Sequence, residues 1–159
     1  MSAVDDTLVT DAVLALLRAE LPDGVLVGDG EIPYDDTAPV GPGEVDPATG
    51  TAQPYAILYC IPPYVGITPG WAGQDGSEAI RFQVTTVGPE REAAQALATV
   101  IRGILTDRGD APDRSYVHPL TVAGHEVMRR DAVDRVPVDG AEGAYNAGTI
   151  VDIWVHRTS

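Results

Sequence analysis

The sequence predicts an α+β fold: a mainly antiparallel sheet with two helices packed on one face, long Pro/Gly loops and a C-terminal β-hairpin. Three observations lead there. Apolar residues recur every three or four positions in two segments, the mark of an amphipathic helix. In other segments apolar and polar residues alternate, or the run is apolar throughout, the mark of a strand. The order is helix, strand, long loop, strand, loop, strand, helix, then two or three strands, which suits helices gathered on one side of a sheet.

Residues 1–159 are long enough for one domain with a real core, and 44% of them are hydrophobic. Thirteen prolines and seventeen glycines cluster between the apolar runs, so the loops carry them. Residues 5–21 read as the first helix, with Val9, Val13, Leu16 and Leu17 on one face and Ala12 beside them. Ser2 with Asp5, or Asp5 and Asp6, can accept from the free amides at its start, and Pro22 and Gly24 end it. "VLV" at 25–27 reads as a short strand, and 28–53 as a long loop rich in Pro, Gly and Asp. "PYAILYCI" at 54–61 is apolar on both faces and predicts cover on both. A second loop fills 62–77.

The segment "IRFQVTTVGPEREAAQALATVIRGIL" joins a strand to a helix with almost nothing between. Ile80, Phe82, Val84 and Thr86 alternate with Arg81, Gln83 and Thr85, giving one core face. Pro89 suits the first helical position, and Glu90 and Glu92 suit the positive end of the helix dipole. Ala93, Leu97, Val100, Ile101 and Ile104 form the expected buried stripe, with Ala94, Ala98 and Leu105 as a small-residue flank. Burying the four large ones contributes about 6–12 kcal/mol before entropy. Arg108 and Gly109 fit the helix end. Residues 119–138 read as a short strand, a turn near Gly124 and a longer strand; 138–143 read as a turn. In the last strand, 147–157, Val151, Ile153 and Val155 face one way and Ile150, Asp152, Trp154 and His156 the other.

The net charge is −14, carried unevenly. Residues 1–80 hold thirteen acids and one arginine, residues 81–159 eleven acids and nine arginines, and lysine is absent. Such a surface repels nucleic-acid backbones and anionic membranes. Two readings fit it: solubility, or a surface that faces DNA without adhering to it. Cys60 is the single cysteine, so no internal disulfide forms, and its apolar run predicts a buried, inert thiol. "MSAVDDTLVTD" has neither the basic start nor the apolar stretch of a signal peptide, and the longest apolar runs fall short of a membrane span. The expectation is a soluble intracellular product.

Chemistry-bearing patterns are few. His118, His125 and His156 lack metal-ligand spacing with one another or with other donors. "GDGEIPYDD" holds Asp29, Glu31, Asp35 and Asp36, enough oxygen for a hard cation, yet Pro33 interrupts it and the calcium-loop spacing is absent. A solvated acidic loop is the other reading. No phosphate-cradling glycine motif is present. Catalytic residues, metal and cofactor are expected to be none. Arg129 and Arg130, followed by Asp131 and Asp134, suggest either ion pairs, including pairs across a subunit boundary, or a solvated strand face. Trp154, on the less apolar face of its strand, and Trp71, in the same Pro/Gly loop as Tyr64, are either interface residues or covered by the protein's own loops.

Taken together, "TLVTDAVLALLRAEL", "PYAILYCIPP", "IRFQVTTVGPEREAAQALATVIRGIL", "PLTVAGHEVMRRDAVDRV" and "GTIVDIWVH" resemble the tail terminator (tail completion) proteins of long-tailed bacteriophages. The likeness lies in the order of elements across nearly the whole chain, not in invariant chemical residues. It implies a structural virion protein, not an enzyme: a homo-hexameric ring that caps the tail tube and joins it to the head–neck complex. The implied partners are copies of itself, the major tail tube protein and a neck or connector protein, with DNA passing through unbound. The implied location is the head–tail junction of the virion, and the host cytoplasm during assembly. The doubly apolar 54–61 strand, the flank of Ala94, Ala98 and Leu105, and Trp71, Tyr64, Arg129, Arg130 and Trp154 are then the candidate subunit or partner interface. The loop with Asp29, Glu31, Asp35 and Asp36 becomes a candidate channel lining. Rival readings are another neck ring, an acidic metal-dependent hydrolase built on that same loop, and a monomeric peptide-binding module using Trp71.

Overall fold

A computed structural model describes residues 4–35, 38–39, 54–61, 77–110, 112–141 and 144–158. Helix α1 spans Asp6–Glu20 and helix α2 Arg91–Thr106. Strands β1 (Leu26–Asp29), β4 (Tyr55–Ile61), β5 (Ser77–Gly88), β7 (Ala144–Arg157) and β6 (His125–Ala141) lie in that spatial order in one sheet. Only the β1–β4 pair is parallel; the other three are antiparallel. A two-residue ladder, β2 (Tyr34–Asp35) with β3 (Ala38–Pro39), stands apart.

Both helices lie on the same face of the sheet, as the sequence predicts. The main core draws Val9, Val13, Leu14 and Leu17 from α1, and Leu97, Ile101, Ile104 and Leu105 from α2. The sheet answers with Ala56, Leu58, Phe82, Val84, Val151, Ile153 and Val155. Those strand residues are alternate ones, as a pleated strand with one buried face requires. Asp5 caps α1: its carboxylate accepts from the Thr7 and Leu8 amides at 3.0 and 3.4 Å.

The structure corrects several expectations. The first strand starts at Leu26 and runs on through Gly28 and Asp29, residues expected in the loop 28–53. Ser77, expected in the loop 62–77, begins β5. Residues 40–53 and 62–76 of those loops lie outside the described residues. The turn expected over 138–143 is narrower, since β6 reaches Ala141 and β7 starts at Ala144. Helix α2 has Glu90 as its N-cap, so Pro89 precedes the helix instead of opening it. The helix ends at Thr106, before Arg108 and Gly109.

The buried arc of α2 is also rotated. Val100 is 44% exposed, while Ala94, Ala98 and Leu105 are buried with Leu97, Ile101 and Ile104. The helix therefore lies on the sheet through its smallest residues. Ala94 and Ala98 pack on Ala147 of β7, and the Thr86 hydroxyl donates to the Ala94 carbonyl at 2.7 Å. So close an approach also explains Gly88. A Cβ there would meet the Ala94 amide nitrogen at 2.9 Å and the Ala93 Cβ at 3.2 Å.

Candidate functional site

Among the described residues, no helix covers the second face of the sheet or the outer edges of its two end strands. On that face the outward residues of β4, β5, β7 and β6 come into register. Tyr59 sits beside Gln83, Arg81 beside Asp152, and Asp152 beside Asp131. Arg81 grips the Asp152 carboxylate with two bonds, Nε at 2.7 Å and Nη2 at 2.9 Å. That contact raises the Arg81 guanidinium above its ordinary value. Arg129 pairs with Asp131 at 2.6 Å and lies over the Trp154 ring, 5.1 Å from its centroid. Arg81 and Arg129 thus each have a carboxylate within the chain.

Double burial of the 54–61 strand holds only for its first half. Ala56 and Leu58 join the helix-side core, and Tyr55 and Ile57 form a second buried cluster with Val87 on the other face. Burial pushes the Tyr55 hydroxyl above its ordinary value, and Tyr59 adds to the shift. Tyr59 itself is 37% exposed.

The predicted interface residues separate. Trp154 lies on the helix-free face, half-buried, with its Nε1 covered and without a hydrogen-bond acceptor. Ala94, Ala98 and Leu105 are corrected: all three are buried and hold the helix to its own sheet, and of them only Ala98 lines a surface groove. Arg129 finds its partner within the chain. Arg130 is corrected too. It points to the helix side and is only 4% exposed, with no carboxylate partner among the described residues. Tyr64, Trp71 and Asp36 lie outside the described residues, and Asp35 is described in its backbone alone.

Arg130 belongs to a cluster that local sequence does not reveal. Its guanidinium lies 3.8 Å from the Tyr116 ring centroid, and that of Arg108 lies 4.4 Å from the same ring. Arg130 Nη2 donates to the His118 carbonyl at 2.7 Å, while Nε and Nη1 are buried without acceptors. Burial pushes this guanidinium below its ordinary value; Tyr116 opposes the shift and Arg108 adds to it. The Tyr116 hydroxyl accepts from the Arg130 amide at 2.7 Å and donates to the Arg130 carbonyl at 3.2 Å. Tyr116 thereby occupies the outer edge of β6 at that point. Three register shifts and Pro137 interrupt the same strand. At the other end of the sheet, Arg18 Nη2 donates to the Val27 carbonyl of β1 at 3.0 Å. Both end strands are guarded against simple strand addition.

The chemistry-bearing side chains do not converge. Among the described residues no three His, Cys, Asp or Glu side chains gather as metal donors. His118 Nδ1 lies 3.2 Å from the Glu20 carboxylate, and His125 is held between the Ala123 carbonyl and the Asp5 amide. Cys60 is half-buried on the helix side, and burial pushes its thiol up while a Thr10 hydrogen bond opposes the shift. Asp29 and Glu31 are both exposed, at the end of β1 and just beyond it. Among the described residues no helix is long and apolar enough to cross a membrane. Compared with models of known protein families and with curated proteins, the sequence matches none.

Proposed function

We propose that this chain is a structural subunit that closes into a ring, of six copies, at the junction of a phage tail with its head, where it caps the tail tube and meets the neck. The observation that carries this is the one-sided sheet. Both helices cover one face, and the other holds Trp154 and Tyr59 beside two ion pairs, Arg81–Asp152 across strands and Arg129–Asp131 within β6. Each of these guanidinium groups keeps its carboxylate when water leaves, so neither becomes an unpaired buried charge, the case in which burial costs most. Aromatic residues and arginine are the residue types that anchor protein interfaces. The tube protein is read as docking on this face, and the neck protein on the opposite side of the ring. The net charge of −14 lets DNA pass without adhering, since no run of cations is offered to its phosphates.

The test is assembly and location. Purified chain alone, and chain mixed with purified tail tubes, is weighed by light scattering and imaged by negative-stain electron microscopy. Six-fold rings, and tubes capped at one end, are expected. Gold-labelled antibody on intact particles should mark the junction of head and tail. Label at the distal tail tip, or a chain that stays monomeric both alone and with tubes, removes this reading.

A further inference from the structure

A groove of about 190 Å³ lies between α2 and β6, and Gln95, Thr99, Arg102, Arg135, Val136 and Thr149 line it. Its lining includes two arginines and no acid, in a chain where acids outnumber arginines 24 to 10. Ion pairs between described residues use Arg81, His118 and Arg129, so neither groove arginine has a carboxylate there. Arginine presents a planar fork of donors matched to a carboxylate, and two of them beside a Thr hydroxyl and a Gln amide make an anion-receiving surface.

The opposite end of the sheet has the complementary chemistry. Strand order places β1 and β6 four strand spacings apart, about 19 Å. Beyond β1 the chain turns tightly. The Gly30 amide donates to the Leu58 carbonyl at 2.8 Å, Gly30 has φ +66°, and a Cβ on Gly28 would collide with the Glu31 carbonyl oxygen. This turn holds Asp29 and Glu31 outward, both exposed. Arg18, the only arginine in residues 1–80, is occupied at the Val27 carbonyl.

We propose that Asp29 and Glu31 of one copy of this chain bind the Arg102–Arg135 groove of the next. The inference rests on the ring reading and says which surfaces close the ring. Two different patches at opposite ends of one subunit make a head-to-tail contact, which repeats around a closed ring when the rotation per copy divides the circle. Because Tyr116, Pro137 and the register shifts interrupt β6, and Arg18 occupies β1, the contact runs through side chains and not through a shared sheet.

The test is a charge swap. R102E/R135E and D29R/E31R each place like charges at the contact, so each alone should self-associate at least about tenfold more weakly than the natural chain. Mixed one to one, the two variants alternate around the ring and every contact regains opposite charges. The mixture should recover assembly, as should a chain carrying all four changes. Added salt should weaken the natural ring. All four positions are exposed or half-exposed, so melting temperatures serve as a folding control. Rings unchanged in R102E/R135E, or no recovery on mixing, overturn this contact and leave the ring reading standing. A natural chain that is monomeric alone and on tubes overturns both.

Discussion

Arg81 and Phe82 are adjacent in β5 and point to opposite sides of one sheet. Phe82 is wholly buried on the helix side, opposite Cys60 and Val151 of the neighbouring strands and in one core with residues of both helices. Arg81 is 44% exposed in its side chain and held by Asp152 from the neighbouring strand. One face is shaped by volume, the other by cross-strand charge. Stability should therefore concentrate on the helix side and partner contacts on the helix-free side.

The largest expected effect is Phe82→Ala, about 3–5 kcal/mol, because the cavity sits where helices and sheet meet. Urea unfolding measures it; a loss under 1 kcal/mol would mean that the core is not packed as described. Gly88→Val follows at about 1–3 kcal/mol, toward the upper end because backbone, not a flexible side chain, stands in the way. A melt as high as that of the natural chain would contradict the tight joint between β5 and α2. Trp154→Ala should cost about 1–2 kcal/mol of folding, as its ring is only half-buried, but should weaken docking to tubes far more. Equal losses in both assays would erase the distinction between the two faces. Arg81→Ala should cost only about 0.2–1 kcal/mol, since the ion pair is partly exposed.

The smallest effect is a pH slope from Cys60. Its folded thiol titrates above the ordinary value of 9.0. As pH rises past that value the unfolded chain releases the proton first, so stability falls with pH until the folded thiol ionises as well. Cys60→Ala should flatten the decline just above pH 9, leaving the part due to Tyr55, which starts above its ordinary 10.0. Thiol reagents at pH 8 should label Cys60 more slowly than free cysteine.

Much of the fold was legible because its signals are local. Alternation in 80–86 and 147–157 marks two strands and says which residues share a face. Periodicity marks both helices, and Asp5 announces the first. On α2, however, two apolar arcs overlapped, one through Val100 and one through Ala94, Ala98 and Leu105. Periodicity cannot choose between overlapping arcs; the separation between helix and sheet can. The small residues won because β7 offers Ala147 at the contact, and Thr86 reaches the helix backbone.

By itself the sequence determined the element types, the one-sided sheet and the uneven charge, because each follows from spacing and composition within short windows. Only the tertiary structure decided that β1 runs parallel to β4 and that Arg81 pairs with Asp152. It alone set Arg108 and Arg130 on opposite sides of the question that charge raises: one exposed, the other buried, both against Tyr116. Arg102 and Arg135 likewise meet in one groove although 33 residues apart in number. These are distances between residues remote in the chain. They depend on strand order and register, which no local pattern encodes.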